Sequence, residues 1–255
     1  MVMKLLILGG TSESNSLAER LAGDERYAAT LSLAGRTGTP RLPPVALRVG
    51  GFGGAVGLAE FLQAEQIDVL IDATHPFAER ISANAVTAAR LAGVPLLALT
   101  RAPWAPVDGD RWTAVDDLAG AAAALPGAPT SVFLTVGRQS LVPFASQPQH
   151  HYVIRVIDPP EIPAALVNAE VVVGRGPFQI EAETALLRAH RIQVLVTKNS
   201  GGKAASAKLA AARTLGLPVI LVSQPKAGDE ARFRTVDAVL LELAKRHGVL
   251  TKRSV

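Results

Sequence analysis

The chain has 255 residues, 49% of them hydrophobic and 19% charged, with a net charge of +4 and no cysteine. That size and apolar content support one large domain or two small ones and exclude disorder as the main state. The missing cysteine excludes a disulfide scaffold, a thiolate nucleophile, Cys-ligated zinc and a Cys-held iron–sulfur cluster. Aromatic residues make up only 4%, which does not suggest a stacking platform for single-stranded nucleic acid.

Short apolar runs alternate with longer Ala/Leu-rich segments. Lys4–Leu8, Tyr27–Leu33, Ala46–Val49, Val69–Ala73 and Pro95–Leu99 read as strands. Between them, Ser12–Ala22, Val56–Gln66 and Ala78–Ala92 read as helices, with Gly23 and Gly93 as stops for the first and last. The stretch Arg101–Arg111, with Pro103, Trp104 and Pro106, reads as a crossing. Alternation then resumes: strands at Val132–Val136, Tyr152–Ile157, Val171–Val173, Val194–Thr197 and Val219–Val222, and helices at Asp116–Leu125, Ile180–His190, Lys203–Leu215 and Val236–His247. This order predicts an α/β protein with two Rossmann-like parallel-sheet domains. The expected division is 1–100, on the cofactor side, and 101–255, on the substrate side, with the active site in the cleft between them.

No apolar stretch approaches the roughly 18 residues of a membrane span, and the first residues are too short an apolar run for a signal peptide. A cytoplasmic protein without nucleic-acid or membrane partners is expected, as a monomer or small homo-oligomer.

In such sheets ligands bind beyond the carboxyl ends of the strands. After the first strand comes Gly9-Gly10-Thr11-Ser12-Glu13 at the opening of a helix, where glycines admit a ligand and free N–H groups favour an anion. The spacing departs from G-x-G-x-x-G, and the same residues also make an ordinary turn with Ser12 as cap. Arg36 follows the second strand, where an arginine accommodates a 2′-phosphate if the unit binds a dinucleotide. Gly50-Gly51-Phe52-Gly53-Gly54 follows the third. Asp72-Ala73-Thr74-His75-Pro76-Phe77-Ala78 follows the fourth, with Pro76 expected to start a helix. His75 titrates near neutrality and can donate a proton or hold an anion.

The second half has Thr135-Val136-Gly137-Arg138, Arg175-Gly176-Pro177-Phe178 and Thr197-Lys198-Asn199-Ser200-Gly201-Gly202-Lys203, the last running into a helix. Its two lysines, two hydroxyls and two glycines at a helix N-terminus suit an anion, although the P-loop spacing is absent. Neither a Ser-His-Asp order nor a metal-ligand cluster is visible, and none is needed where a cofactor carries the chemistry.

Taken together, the segments Gly9–Glu13, Ala34-Gly35-Arg36, Gly51–Gly54, Asp72–Ala78, Arg175–Phe178 and Thr197–Gly202 resemble the precorrin-6A reductases of cobalamin biosynthesis. One departure is Ser14-Asn15-Ser16, where small or basic residues are expected. The resemblance implies NAD(P)H-dependent reduction of one macrocycle double bond of precorrin-6A to give precorrin-6B, a carboxylate-fringed tetrapyrrole being the substrate, and Arg36 favours NADPH as the cofactor. It implies Gly10, Thr11, Ser12, Glu13, Arg36, Gly51, Gly53, Thr74, His75 and Pro76 on the cofactor side, and no metal. Arg138, Arg175, Gly176, Lys198, Ser200, Gly201, Gly202 and Lys203 fall on the substrate side, with His75 and Lys198 as the catalytic candidates. A non-catalytic NADP-binding sensor and a dehydrogenase for another anionic molecule are the alternatives. The second, in its short-chain form, needs a Tyr-x-x-x-Lys pair, and neither Tyr27 nor Tyr152 has a lysine four residues on.

Overall fold

Leu5 and Ile7 point to one side of the first strand, and Leu6 and Leu8 to the other, each side buried in its own apolar cluster. A continuous apolar run is the signature of a strand covered on both faces. The computed structural model describes residues 2–35, 44–158, 162–225 and 230–253. Every strand pairing in it is parallel, and the strands form two six-stranded sheets.

The first sheet contains β1 (Met3–Leu8), β2 (Tyr27–Leu33), β3 (Ala46–Val49), β4 (Val69–Asp72) and β5 (Leu96–Leu99). One face is covered by α1 (Ser12–Leu21), which buries Ser14, Leu17, Ala18 and Leu21 at helical spacing. The other is covered by α2 (Ala55–Ala64) and α3 (Glu79–Ala92) through Leu58, Leu62, Ala85, Ala88 and Ala89. Burying each such leucine contributes about 1.5–3 kcal/mol.

The second sheet contains β6 (Trp112–Val115), β7 (Ser131–Thr135), β8 (His151–Val156), β9 (Ala169–Val173), β10 (Val194–Lys198) and β11 (Val219–Val222). Its helices are α4 (Leu118–Ala123), α5 (Ile180–Ala189) and α6 (Ala207–Thr214). The latter two pack Leu187, Leu209, Ala211 and Ala212 against Phe133, Val153 and Leu195. Two short 3-10 turns, Arg138–Ser140 and Val142–Ser146, follow β7.

The chain divides into two compact units, Ala102–Pro225 and Met1–Arg101 joined by Lys226–Val255. The second unit therefore stops short of the C-terminal end expected for it. The last segment returns to the first sheet: β12 (Ala231–Phe233) pairs with β5, and α7 (Val236–Arg253) buries Val239 and Leu243 beside Leu17 and Leu21. Arg234 Nη1 fastens this return by donating to the Arg101 carbonyl at 2.9 Å. The first sheet reads β3-β2-β1-β4-β5-β12, and the second β9-β8-β7-β10-β11-β6. Both are the doubly wound order, with the sixth place filled from β12 in one and from β6 in the other.

Two expected helix starts move, and α5 keeps its expected start at Ile180. Pro76 lies in a turn closed by the Ala78 N–H to the His75 carbonyl, so α3 begins at Glu79. Pro177 precedes α5 by three residues. Lys203 accepts at its carbonyl from both the N–H and the hydroxyl of Ser206, a turn that delays α6 to Ala207.

Candidate active site

In each sheet the strand order reverses at one place, and there the carboxyl ends diverge to leave a crevice. In the first unit that place lies between β1 and β4. Gly9 packs closely, since a Cβ there would stand 2.6 Å from Leu31 Cδ1 and require that side chain to shift. Gly10 has φ +117° and open space where a Cβ would point, which leaves its backbone accessible. Thr11, rather than Ser12, caps α1: its hydroxyl accepts from the Ser14 N–H. It also donates to the Ala73 carbonyl at 2.8 Å, tying the loop after β1 to the loop after β4. Ser14 Oγ accepts from the N–H groups of Gly10 and Thr11, each at 3.1 Å. Ser14 is thus the knot of the glycine turn.

Ser12 and Glu13 stand in the first turn of α1, and Arg101 Nη2 reaches both side chains. Burial raises the Glu13 carboxyl, but the hydrogen bond and charge of Arg101 outweigh it and hold the group below its ordinary range. In the loop after β4, Asp72 Oδ1 accepts from the N–H and the hydroxyl of Thr74, at 3.0 and 2.7 Å. His75 is exposed, and its Nδ1 accepts from the Phe77 N–H at 3.2 Å. That leaves the proton on Nε2 in the neutral ring. After β3, Arg48 donates to the carbonyls of Gly50 and Gly51 at 2.7 and 2.9 Å and lies 3.8 Å from the Phe52 ring centroid. A Cβ on Gly57 would stand 1.9 Å from the Phe52 carbonyl oxygen, so α2 begins hard against this loop. Arg36 lies outside the described residues.

In the second unit the reversal falls between β7 and β10. Lys198 ends β10, and its ammonium donates to Ser140 Oγ, in the turn after β7, at 2.7 Å. Arg138 is exposed in that same turn. Ser200 and Gly201 are buried, and Lys203 is exposed. Asn199 holds this loop from behind: its Oδ1 accepts from the Trp104 N–H at 2.7 Å, and its Nδ2 donates to the Trp104 carbonyl at 3.0 Å. The Trp104 indole N–H donates to the Gly202 carbonyl at 2.9 Å. Arg175 and Gly176 are exposed in the loop between β9 and α5. A Cβ on Gly176 would stand 3.2 Å from the Ala204 carbonyl oxygen, so this loop and the one after β10 touch.

Within each unit, then, the expected residues among those described stand in the segments that follow strands, with Lys198 at the end of β10 itself. In the first, hydrogen bonds link Thr11 to the Asp72–Pro76 loop; in the second, they link Lys198 to the Arg138 turn. Arg48, Arg101, Ser140 and Trp104 are organising residues that sequence reasoning missed, because their partners are brought to them by the fold. Among the described residues, no cluster of three or more His, Asp or Glu side chains is placed to hold a metal ion. None of their helices is long and apolar enough to cross a membrane.

Two parallel doubly wound sheets with glycine-bearing strand ends define a Rossmann-like α/β protein. Residues 4–244 match the family described as precorrin-6x reductase CbiJ/CobK, and the chain belongs to that family. It is 51% identical over 252 residues to the precorrin-6A reductase of Rhodobacter capsulatus, covering 99% of each chain. It is 48% identical over 250 residues to that of Rhodococcus erythropolis, covering 98% of this chain and 99% of the other. A solved structure titled CobK precorrin-6A reductase superposes with a TM-score of 0.91 at 50% identity, over 97% of this chain and 98% of the other.

Proposed function

We propose that this protein reduces one carbon–carbon double bond of the precorrin-6A macrocycle with NADPH, giving precorrin-6B in cobalamin biosynthesis. The observation that carries the reading is the family match over residues 4–244. The strand ends of the first unit fit a dinucleotide. Open space stands where a Cβ would point at Gly10, Gly51, Gly53 and Gly54, so backbone can meet a flat ligand there. Thr11, Ser12, Glu13, Thr74, His75 and Pro76 would line it, and Arg36 would meet the 2′-phosphate. When bound, the nicotinamide supplies a hydride, and a proton completes the reduction.

The chain's own contribution is placement. Arg138, Arg175, Lys198 and Lys203 present positive charge to the acetate and propionate groups of the substrate, while Gly176, Ser200, Gly201 and Gly202 let backbone approach it. Fixing a macrocycle carbon against a hydride donor converts an encounter into a unimolecular step, the larger part of what such a site must do. His75 has its Nδ1 engaged by Phe77, so in the neutral ring Nε2 carries the hydrogen and would act as hydrogen-bond or proton donor. Lys198 holds a substrate carboxylate while Ser140 steadies its ammonium.

The test is to mix protein, NADPH and precorrin-6A and follow reduced-nicotinamide absorbance together with the macrocycle spectrum. Coupled loss of both starting signals supports the reading. NADPH that binds but is never consumed in the presence of precorrin-6A overturns it in favour of a sensor.

A further inference from the structure

The interior of the second unit holds three ionisable side chains that the strand-end loops do not account for. Arg155 on β8, Glu183 on α5 and Lys208 on α6 are 8%, 3% and 5% exposed. Arg155 Nη1 donates to Glu183 Oε1, and the other Glu183 oxygen is buried without a hydrogen-bond partner. Replacing buried ions by apolar residues is often neutral or stabilising, so stability alone is a weak reason to keep them.

Their surroundings give a better one. The Arg155 guanidinium lies 3.9 Å from the centroid of the Phe178 ring, and Phe178 closes the Arg175-Gly176-Pro177-Phe178 loop. Gly174 adjoins this stack: a Cβ there would make ordinary contact with the Phe178 ring, at 3.4 Å, and with Arg155 Cδ, at 3.8 Å. Lys208 Nζ lies 5.6 Å from the centroid of the Trp104 ring, and Trp104 brackets Asn199 and holds the Gly202 carbonyl. Each buried basic side chain therefore meets an aromatic residue, one in the first of the two loops and one hydrogen-bonded to the second. Glu183 is bonded to the first cation, and its charge also acts on the second. The loops themselves touch at Gly176 and Ala204.

We propose that Arg155, Glu183 and Lys208 form a positioning device: Arg155 sets the Arg175 loop through Phe178, and Lys208 sets the Lys198–Gly202 loop through Trp104. The proposal rests on the assignment of Arg175 and Lys198 to the substrate side. A guanidinium stacked on a ring fixes the ring's plane as well as its place, which an ammonium does not do.

The test uses Phe178→Leu, which keeps an apolar side chain but removes the stacking face, with Arg155→Met and Arg155→Lys beside it. Arg175→Ala and the Arg175→Ala/Phe178→Leu double variant are the references. All are assayed at a temperature where each is fully folded by near-UV circular dichroism. We expect Phe178→Leu to raise KM for precorrin-6A about tenfold with kcat and KM for NADPH within about twofold of the parent. The double variant should be within about twofold of Arg175→Ala, because both changes act on one contact. Arg155→Lys should not rescue the KM. Unchanged KM in Phe178→Leu and Arg155→Met, with only a lower Tm, overturns the proposal, as do effects that multiply in the double variant. If Arg175→Ala itself leaves KM unchanged, the substrate-side assignment falls and the proposal with it. If Arg175→Ala raises KM while Phe178→Leu is silent, the assignment stands and the proposal alone falls.

Discussion

Lys198 donates to Ser140 Oγ across 2.7 Å, and this bond joins the segments that follow β10 and β7, the two strands between which the second sheet reverses its order. A lysine tethered at such a crevice is oriented before any ligand arrives. Removing Lys198 should therefore weaken substrate binding more than removing its tether. Lys198→Ala is expected to raise KM for precorrin-6A by about ten- to a hundredfold with kcat largely kept, and Ser140→Ala by only a few-fold. Steady-state kinetics decides. No change with Lys198→Ala takes the residue out of the site.

Arg36 is assigned to the 2′-phosphate that distinguishes NADPH from NADH. Arg36→Ala should lower kcat/KM for NADPH by at least about tenfold and leave that for NADH nearly unchanged, since only one cofactor carries the group it meets. An unaltered ratio between the two cofactors removes the assignment.

Gly57 sits inside α2, where intrinsic propensity predicts that alanine stabilises by roughly 1 kcal/mol. Its surroundings predict the reverse. A Cβ would stand 1.9 Å from the Phe52 carbonyl oxygen, a backbone atom with no rotamer by which to retreat. We expect Gly57→Ala to destabilise by about 2 kcal/mol or more in urea unfolding. It should also raise KM for NADPH, because the Gly50–Gly54 loop must shift. A gain in stability would show that the loop yields freely.

The strands and their end loops are legible locally. Leu5–Leu8 is a continuous apolar run because both faces are covered, and Gly9-Gly10 and Thr74-His75 follow strands that the pattern already marks. The return of the chain is not. Ala231-Arg232-Phe233 is three residues long and carries no apolar run, and only its pairing with Leu97–Leu99 makes it a strand. For the same reason β6 passes unnoticed, four residues between the Arg101–Arg111 crossing and the helix expected from Asp116. The organising residues lie further still from local pattern. Trp104 and Asn199 are 95 positions apart, and Arg101 and Glu13 are 88 apart. A cation in a loop has the same appearance in sequence whether it is solvated or holds a partner.

Lys208 links the interior of the second unit to pH. Burial first, and the charge of Arg155 second, push its ammonium from 10.5 down to about 7, with Glu183 opposing; these are the charged groups that face it. Between those values the unfolded chain holds a proton that the folded one has released, so stability rises with pH from about 7 toward 10.5. Below about 7 the folded state carries the buried charge at full cost, of the order of several kcal/mol. Lys208→Met should therefore be more stable than the parent at pH 6, with an advantage that shrinks by pH 9. Urea unfolding at the two pH values checks this. Parallel profiles would show that the lysine stays charged throughout.

Following the hydrogen atoms tests the central claim most directly. With NADPH deuterated at the transferring position of C4 and precorrin-6A in ordinary water, mass spectrometry of the product should show one deuterium from the cofactor and one hydrogen from solvent, in step with NADPH loss. Precorrin-6A recovered unreduced, or a reduced macrocycle without cofactor deuterium for either C4 label, would contradict the assignment.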